Sequence, residues 1–221
     1  MAQDAEPVLL DTHETEGTVT LTLSGGEILE IAADSLPSDL PQVGAGIPPL
    51  LLVRLRTAAE SKQISRRLFQ ILDRRLYSTA VLRTKLTQEG FSPAGVEAVL
   101  AKFAEAGLHS DHLYAMAYCR DTWRRQPVGR RYLQAKLHRE GVPTSVVGEV
   151  LDQLLTPQRE EELALAASRK RWARIPTTTG PTAEAKVYRF LLNRGFSRST
   201  ARKAAREGAA PGIDEDREDE A

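Results

Sequence analysis

Leu82-Arg83-Thr84-Lys85-Leu86-Thr87-Gln88-Glu89-Gly90-Phe91 is matched 51 residues on by Leu133-Gln134-Ala135-Lys136-Leu137-His138-Arg139-Glu140-Gly141-Val142. Both segments place two leucines four apart, a lysine before the second, a glycine four beyond it and an apolar residue straight after. Leucines at i and i+4 share one face of an α-helix, and a glycine just past the last turn supplies the left-handed conformation that closes it. Val187, Leu191, Gly195 and Phe196 keep the same spacing in a third copy 54 residues further along. Recurrence at a fixed period of this kind is the mark of a repeated helical unit.

The pattern extends outward from each copy. Ser92-Pro93 and Ser197 stand where the next helix needs an N-cap, and Thr144 takes that place in the middle copy. The apolar stripe Val96, Val99, Leu100 and Phe103 returns as Val147, Val150, Leu151 and Leu154. Further helices are expected after Ser110-Asp111, with Leu113, Ala117 and Trp123, and after Thr156-Pro157, with Leu163, Ala167 and Trp172. Ile64, Leu68, Ile71 and Leu72 form a leading helix. Breaks at Pro127-Val128-Gly129 and at Thr177 to Pro181 divide this region into three-helix repeats at 61–126 and 127–176 and a shortened repeat at 181–208. Ala201, Ala204 and Ala205 replace the larger apolar residues in the last, which should make it the least stable.

The front of the chain has a different period. Thr18 to Leu23 alternates strictly, Ser24-Gly25-Gly26 follows, and Ile28 to Ile31 is a second short apolar run, which together predict a β-hairpin. Two strands alone are marginal in water, so a third from Val8 to Leu10, or a helix, should cover them. Pro37, Pro41, Pro48 and Pro49 with Gly44 and Gly46 then interrupt regular structure, and a small β-containing domain with its linker is assigned to 1–60. The expected fold class is mainly α: tandem three-helix repeats in an elongated, curved array, preceded by a small N-terminal β-hairpin segment.

The chain has 221 residues, 41% of them hydrophobic and 27% charged, which is ordinary for a soluble globular protein. Aromatic residues are only 5%, so the core must be built mainly of Leu, Val, Ile and Ala. No apolar run approaches the roughly 18 residues of a membrane-spanning helix, and Met1 to Pro7 carries acids instead of the Lys or Arg of a signal peptide. A cytoplasmic protein with no membrane partner is expected. A net charge of zero hides a partition: residues 1–60 hold ten acids and two arginines, a net of −8, residues 61–213 carry +13, and Asp214 to Glu220 carry −5. A basic body framed by acidic ends is the electrostatic footprint of a polyanion or acidic partner; the plainer reading is a set of solvated helix faces. Residues 209–221 read as an acidic disordered tail.

Catalytic patterns are missing. There is no Gly-x-x-x-x-Gly-Lys-[Ser/Thr] loop, and Gly44-Ala45-Gly46 runs into Pro49 where a dinucleotide fingerprint needs a third glycine. His109, Asp111 and His112 sit at a helix start with no third ligand, where capping is the expected role. The single cysteine, Cys119, excludes an intramolecular disulfide and reads as a small buried apolar residue. No enzyme activity, cofactor or metal is expected.

These residues resemble the RecX family, regulatory proteins that act on the filament of the RecA recombinase. The resemblance lies in a basic-aromatic-Ser segment before Leu-x-x-Lys-Leu-x-x-x-Gly-aromatic, here Arg75-Leu76-Tyr77-Ser78, Leu82 to Leu86 and Gly90-Phe91. It continues in a second unit opening with Gly and basic residues, here Gly129-Arg130-Arg131 before Leu133, Lys136-Leu137 and Gly141-Val142. It covers residues 18 to 207. Val81 departs from the glutamate often found there, which removes a capping-box partner for Ser78, and the acidic tail from Asp214 is outside the family pattern. The resemblance implies a monomeric negative regulator that binds the RecA filament on single-stranded DNA and inhibits its recombinase and ATPase activities. Bare single strands would be bound weakly and without sequence preference.

Candidate contacts to RecA or DNA are Arg124, Arg125, Arg130 and Arg131 around one junction and Arg169, Lys170, Arg171 and Arg174 around another, with Arg75, Lys85 and Lys136 in the repeated motif. Trp123 and Trp172, at matched positions beside the clusters, read as packing residues. The alternative is a helix-turn-helix-like module acting directly on DNA, since short helices with tight turns share that outline.

Overall fold

Three antiparallel strands, β1 (Leu9–Thr15), β2 (Thr18–Leu23) and β3 (Ile28–Ala32), form a sheet in the order β1-β2-β3 in a computed structural model that describes residues 6–175 and 180–209. The expected hairpin is β2 and β3. The third strand is longer than Val8 to Leu10 because Glu16 and Gly17, both at positive φ, make a two-residue turn that sets Thr15 opposite Thr18. Alternation then puts Val19, Leu21, Leu23, Leu29 and Ile31 on one buried face, packed with Leu51, Leu55 and Ala59 from the first half of α1 (Pro49–Arg74). Arg56 on that helix donates to both Glu27 carboxylate oxygens, at 2.8 and 2.7 Å, and so ties the β2–β3 connection down. The proline-rich stretch is part of the same module: the Leu9 N–H donates to the Ala45 carbonyl, and Ile47, fully buried, donates to that of Pro7.

Helix α1 begins with Pro49 in its first turn and meets no glycine or further proline before Arg74. A boundary at residue 60 therefore falls in the middle of a continuous helix. The change from acidic to basic composition there marks a change in what the helix faces, since Ile64, Leu68 and Ile71 pack with α2 (Thr79–Gln88) and α3 (Pro93–Glu105) in a second core. Ser78 caps α2 by accepting from the Val81 N–H at 3.2 Å, with valine at the position where a capping box has glutamate. Ser92 caps α3 by accepting from the Gly95 N–H, while its own N–H and hydroxyl donate to the Glu60 carboxylate of α1 at 2.7 and 2.6 Å. Ser92→Ala is expected to cost about 1–2 kcal/mol in urea denaturation of the whole chain, because it removes the cap and leaves Glu60 short of a donor.

The chain divides at His109 and Ser110 into two compact units, and the second holds six helices among the described residues. They are α4 (Asp111–Arg125), α5 (Arg130–Arg139), α6 (Thr144–Leu154), α7 (Pro157–Trp172), α8 (Gly180–Asn193) and α9 (Arg198–Glu207). Helices α4 and α5 pack on α6, whereas α7, α8 and α9 pack on one another. The trios are thus α4-α5-α6 and α7-α8-α9, with α2, α3 and the second half of α1 in the first unit. This phase is one helix earlier than the expected 61–126, 127–176 and 181–208. The most legible helix, the one with Leu-x-x-Lys-Leu, is the middle member of a trio and not its first. The last trio is accordingly complete. Its alanines Ala201, Ala204 and Ala205 share a core with Ala164 and Ala167 of α7 and with Val187, Leu191 and Phe196.

Gly90, Gly141 and Gly195 close the three equivalent helices at φ +98, +77 and +82°. The N–H of the following residue reaches back each time, Phe91 to Leu86 at 3.3 Å, Val142 to Leu137 at 3.1 Å and Phe196 to Leu191 at 3.2 Å. Thr144 does not cap α6: Pro143 occupies the cap position and Thr144 is the first helical residue, without a side-chain cap bond. The connection at 176–179 and the acidic segment from 210 onward lie outside the described residues. No helix among the described residues is long and apolar enough to cross a membrane.

Candidate functional site

Helix α7 starts on Thr156, which accepts from the Arg159 N–H at 3.2 Å, and ends in a run of cations, with Arg174 just beyond its last turn. Cations there answer the unpaired carbonyls and the negative end of the helix dipole. Ala167, Arg171 and Arg174 recur at helical spacing along one side, and with Lys170 they line a cleft of about 290 Å³. Arg125, Gln126 and Pro127, where α4 ends, and Phe190 and Arg194, from α8 and its C-terminus, supply the rest of the lining.

The cleft's parts are held individually. The guanidinium groups of Arg171 and Arg194 lie 5.5 and 5.1 Å from the centre of the Phe190 ring, in the range of a cation–π contact. The Gln126 carbonyl accepts from Arg194 Nη1, and its amide nitrogen donates to the Tyr132 hydroxyl at 3.3 Å. Below them two backbones touch. The Gly129 N–H donates to the Arg194 carbonyl at 2.9 Å and the Arg131 N–H to that of Gly195 at 3.0 Å. A Cβ on Gly129 would stand 2.5 Å from the Gly195 oxygen, and one on Gly195 would stand 2.2 Å from the Tyr132 nitrogen. The contact sets Arg194 against the segment from Arg125 to Pro127.

Among the described residues no carboxylate lines this cleft, and Arg125, Lys170, Arg171, Arg174 and Arg194 make no ion pair. The Arg171 Nε is buried and has no hydrogen-bond acceptor. Like charges gathered in a recess repel one another and raise the local positive potential, and a buried N–H without an acceptor is costly. A multivalent anion relieves both, and planar guanidinium forks suit phosphate or carboxylate oxygens.

The fold brings together four of the residues singled out from the sequence, Arg125, Lys170, Arg171 and Arg174, and leaves the others apart. Arg169 is exposed and outside the cleft. Arg124 is exposed too and faces Asp121 at 3.6 Å. Arg130 is bonded to Asp152 at 2.6 Å, and Arg131 enters through its backbone. In the first unit Arg75 and Lys85 lie 4.3 and 5.0 Å from the Tyr77 ring centre; Lys136 lies 5.9 Å from that of Tyr132 in the second. Both tryptophans act as struts: the Trp123 indole donates to the Val128 carbonyl at 3.1 Å and the Trp172 indole to that of Ala205 at 2.9 Å.

Sequence reasoning missed Gln126, Phe190 and Arg194. For Arg194 a signal existed. The residue before the helix-closing glycine is Glu89 in the first copy and Glu140 in the second, so the third copy inverts its charge.

Cys119 is fully buried in α4, and burial pushes its thiol up to about 12. It should resist an aromatic disulfide reagent in the folded protein and react only as fast as the chain unfolds, which a thiol-release assay with and without urea checks. Among the described residues no group of three or more His, Cys, Asp or Glu side chains is placed to hold a metal ion.

Residues 159–205, from α7 into α9, match the family model for the RecX third three-helix domain. A protein from Pelodictyon phaeoclathratiforme described as regulatory protein RecX is 31% identical over 149 residues, 66% of this chain and 89% of that one. One of the same description from Thermus thermophilus is 38% identical over 137 residues, 62% of this chain and 86% of the relative. A crystal structure of regulatory protein RecX superimposes with a TM-score of 0.72 at 23% identity, covering 89% of this chain and 96% of that one, a likeness that bears on the fold.

Proposed function

The chain belongs to the RecX family of regulatory proteins, and from that premise we propose that it is a negative regulator of RecA, binding the RecA filament on single-stranded DNA and inhibiting its recombinase and ATPase activities. The observation that carries the proposal is the carboxylate-free cleft among α4, α7 and α8, with its five cations and the acceptorless Arg171 Nε. A nucleoprotein filament presents phosphates and acidic side chains together, and both are ligands for such a recess. The protein acts by binding, as a cytoplasmic monomer and without a cofactor, and bare single strands are a weak, sequence-independent ligand.

Titration of the chain against bare duplex, bare single strand and RecA-coated single strand tests this, read by anisotropy and by ATP turnover. The expected order is tightest on the coated strand, weaker on the bare one without sequence preference, and progressive loss of ATP turnover. Tightest binding to one duplex sequence, kept as salt rises, would instead establish a helix-turn-helix-like module acting directly on DNA. ATP turnover indifferent to a saturating amount of the chain would remove the regulatory role.

A further inference from the structure

Beyond α9 and the two residues after it, Gly208 and Ala209, the sequence runs Ala210-Pro211-Gly212-Ile213, then Asp214-Glu215-Asp216-Arg217-Glu218-Asp219-Glu220, with a net charge of −5 over residues 214–220. Its point of departure is fixed. The Trp172 indole donates to the Ala205 carbonyl at 2.9 Å, and Gly208 lies so close to Ser168 that a Cβ on it would come within 2.2 Å of the serine oxygen. The end of α9 is thereby pinned to Ser168 and Trp172 of α7, the same stretch that carries Lys170, Arg171 and, two residues beyond Trp172, Arg174.

We propose that the acidic segment 214–220 folds back into the basic cleft and occupies it as an intramolecular polyanion, competing with the nucleic acid or acidic surface that the cleft takes from a partner. This rests on the cleft being the polyanion site. Reach and charge both fit. An α-helix with its side chains is about 10–12 Å across, and four residues of extended chain span about 13 Å, so the uncharged spacer 210–213 can span a distance equal to the width of α7. Five cationic side chains without carboxylate partners then meet a segment of net charge −5. The Arg171 Nε–H gains the acceptor that it lacks among the described residues. Because tether and cleft are one chain, the effective concentration of the acidic segment is high, about millimolar for a short tether, and only a ligand with several phosphates or carboxylates displaces it.

The test keeps the full chain and neutralises the segment with Asp214→Asn, Glu215→Gln, Asp216→Asn, Glu218→Gln, Asp219→Asn and Glu220→Gln, alone and together with Arg171→Gln and Arg174→Gln in the cleft. Affinity for a fluorescein-labelled oligothymidylate is measured by anisotropy. Neutralising the segment should raise affinity about tenfold at about 50 mM salt, with the gain fading by about 200 mM, and should change it less than about twofold when the cleft is already neutralised. No gain although neutralising the cleft itself weakens binding, or the same gain in both backgrounds, overturns the proposal, since the segment would then be idle or act only through overall charge. The Arg171 Nε–H resonance, assigned by its disappearance in Arg171→Gln, reads the contact without DNA. It should move when the segment is neutralised, and an unmoved signal also overturns the proposal. If neutralising the cleft leaves oligothymidylate binding untouched while that resonance still moves, the acidic segment docks as proposed and it is the functional reading of the cleft that fails.

Discussion

Lys170→Glu, Arg171→Glu and Arg174→Glu together are expected to weaken binding to single-stranded DNA, bare or RecA-coated, by at least about a hundredfold at moderate salt. Each wild-type side chain lines the cleft and has no carboxylate partner among the described residues, so each is available to an incoming phosphate. Losing three such contacts should also make the salt dependence shallower, by about one unit of slope for each phosphate no longer neutralised. None of the three side chains belongs to the core that α7 shares with α8 and α9, so far-UV circular dichroism should be unchanged. Arg124→Glu with Arg169→Glu is the matched control. Those side chains lie outside the cleft, and affinity should fall only a few-fold through the general field. A triple variant that still suppresses ATP turnover as its parent does would dismiss the cleft as the working surface.

Gly129→Ala should lower the stability of the second unit by about 3 kcal/mol or more, seen as a melting temperature roughly 10 °C lower. The added methyl would stand 2.5 Å from a carbonyl oxygen and 2.6 Å from the Phe196 Cα, and backbone atoms at such distances have no flexible end to move aside. Gly195→Ala should be at least as severe, since it adds a left-handed φ of +82° to a 2.2 Å approach to the Tyr132 nitrogen. Gly90→Ala isolates the conformational part. Its φ is +98° but a methyl there meets nothing within 4 Å, so the expected cost is only about 1 kcal/mol. Equal losses at Gly90 and Gly195 would mean that the backbone contact beneath the cleft contributes nothing.

The contrast shows where the sequence is legible. Gly90 and Gly195 hold the same place in their copies, and both do the local task that spacing predicts, closing a helix at positive φ. Local tasks of this kind, with the caps at Ser92 and Ser197 and the alternation in β2, are written in neighbouring residues and can be read from them. The second task of Gly195, lying against Gly129, is fixed by packing between two trios and leaves no trace in its own repeat. The same holds for the cleft. Arg171 and Arg174 stood out as a cluster, but nothing in their surroundings says that Arg125 and Arg194, some 46 positions before and 23 after Arg171, line the same recess. The phase of the repeat was hidden for a related reason: the strongest motif lies on the middle helix of its trio, and a motif announces itself, not the edges of the unit that contains it.

Helix α1 has one more implication. Its first half grips the sheet through Leu51, Leu55 and Ala59 and its second half grips α2 and α3 through Ile64, Leu68 and Ile71, with no breaker between them. At 1.5 Å per residue its 26 residues make a strut about 39 Å long. A load on the β-module is therefore delivered to the helical core as the push or twist of a stiff bar, where a flexible tether would let it dissipate.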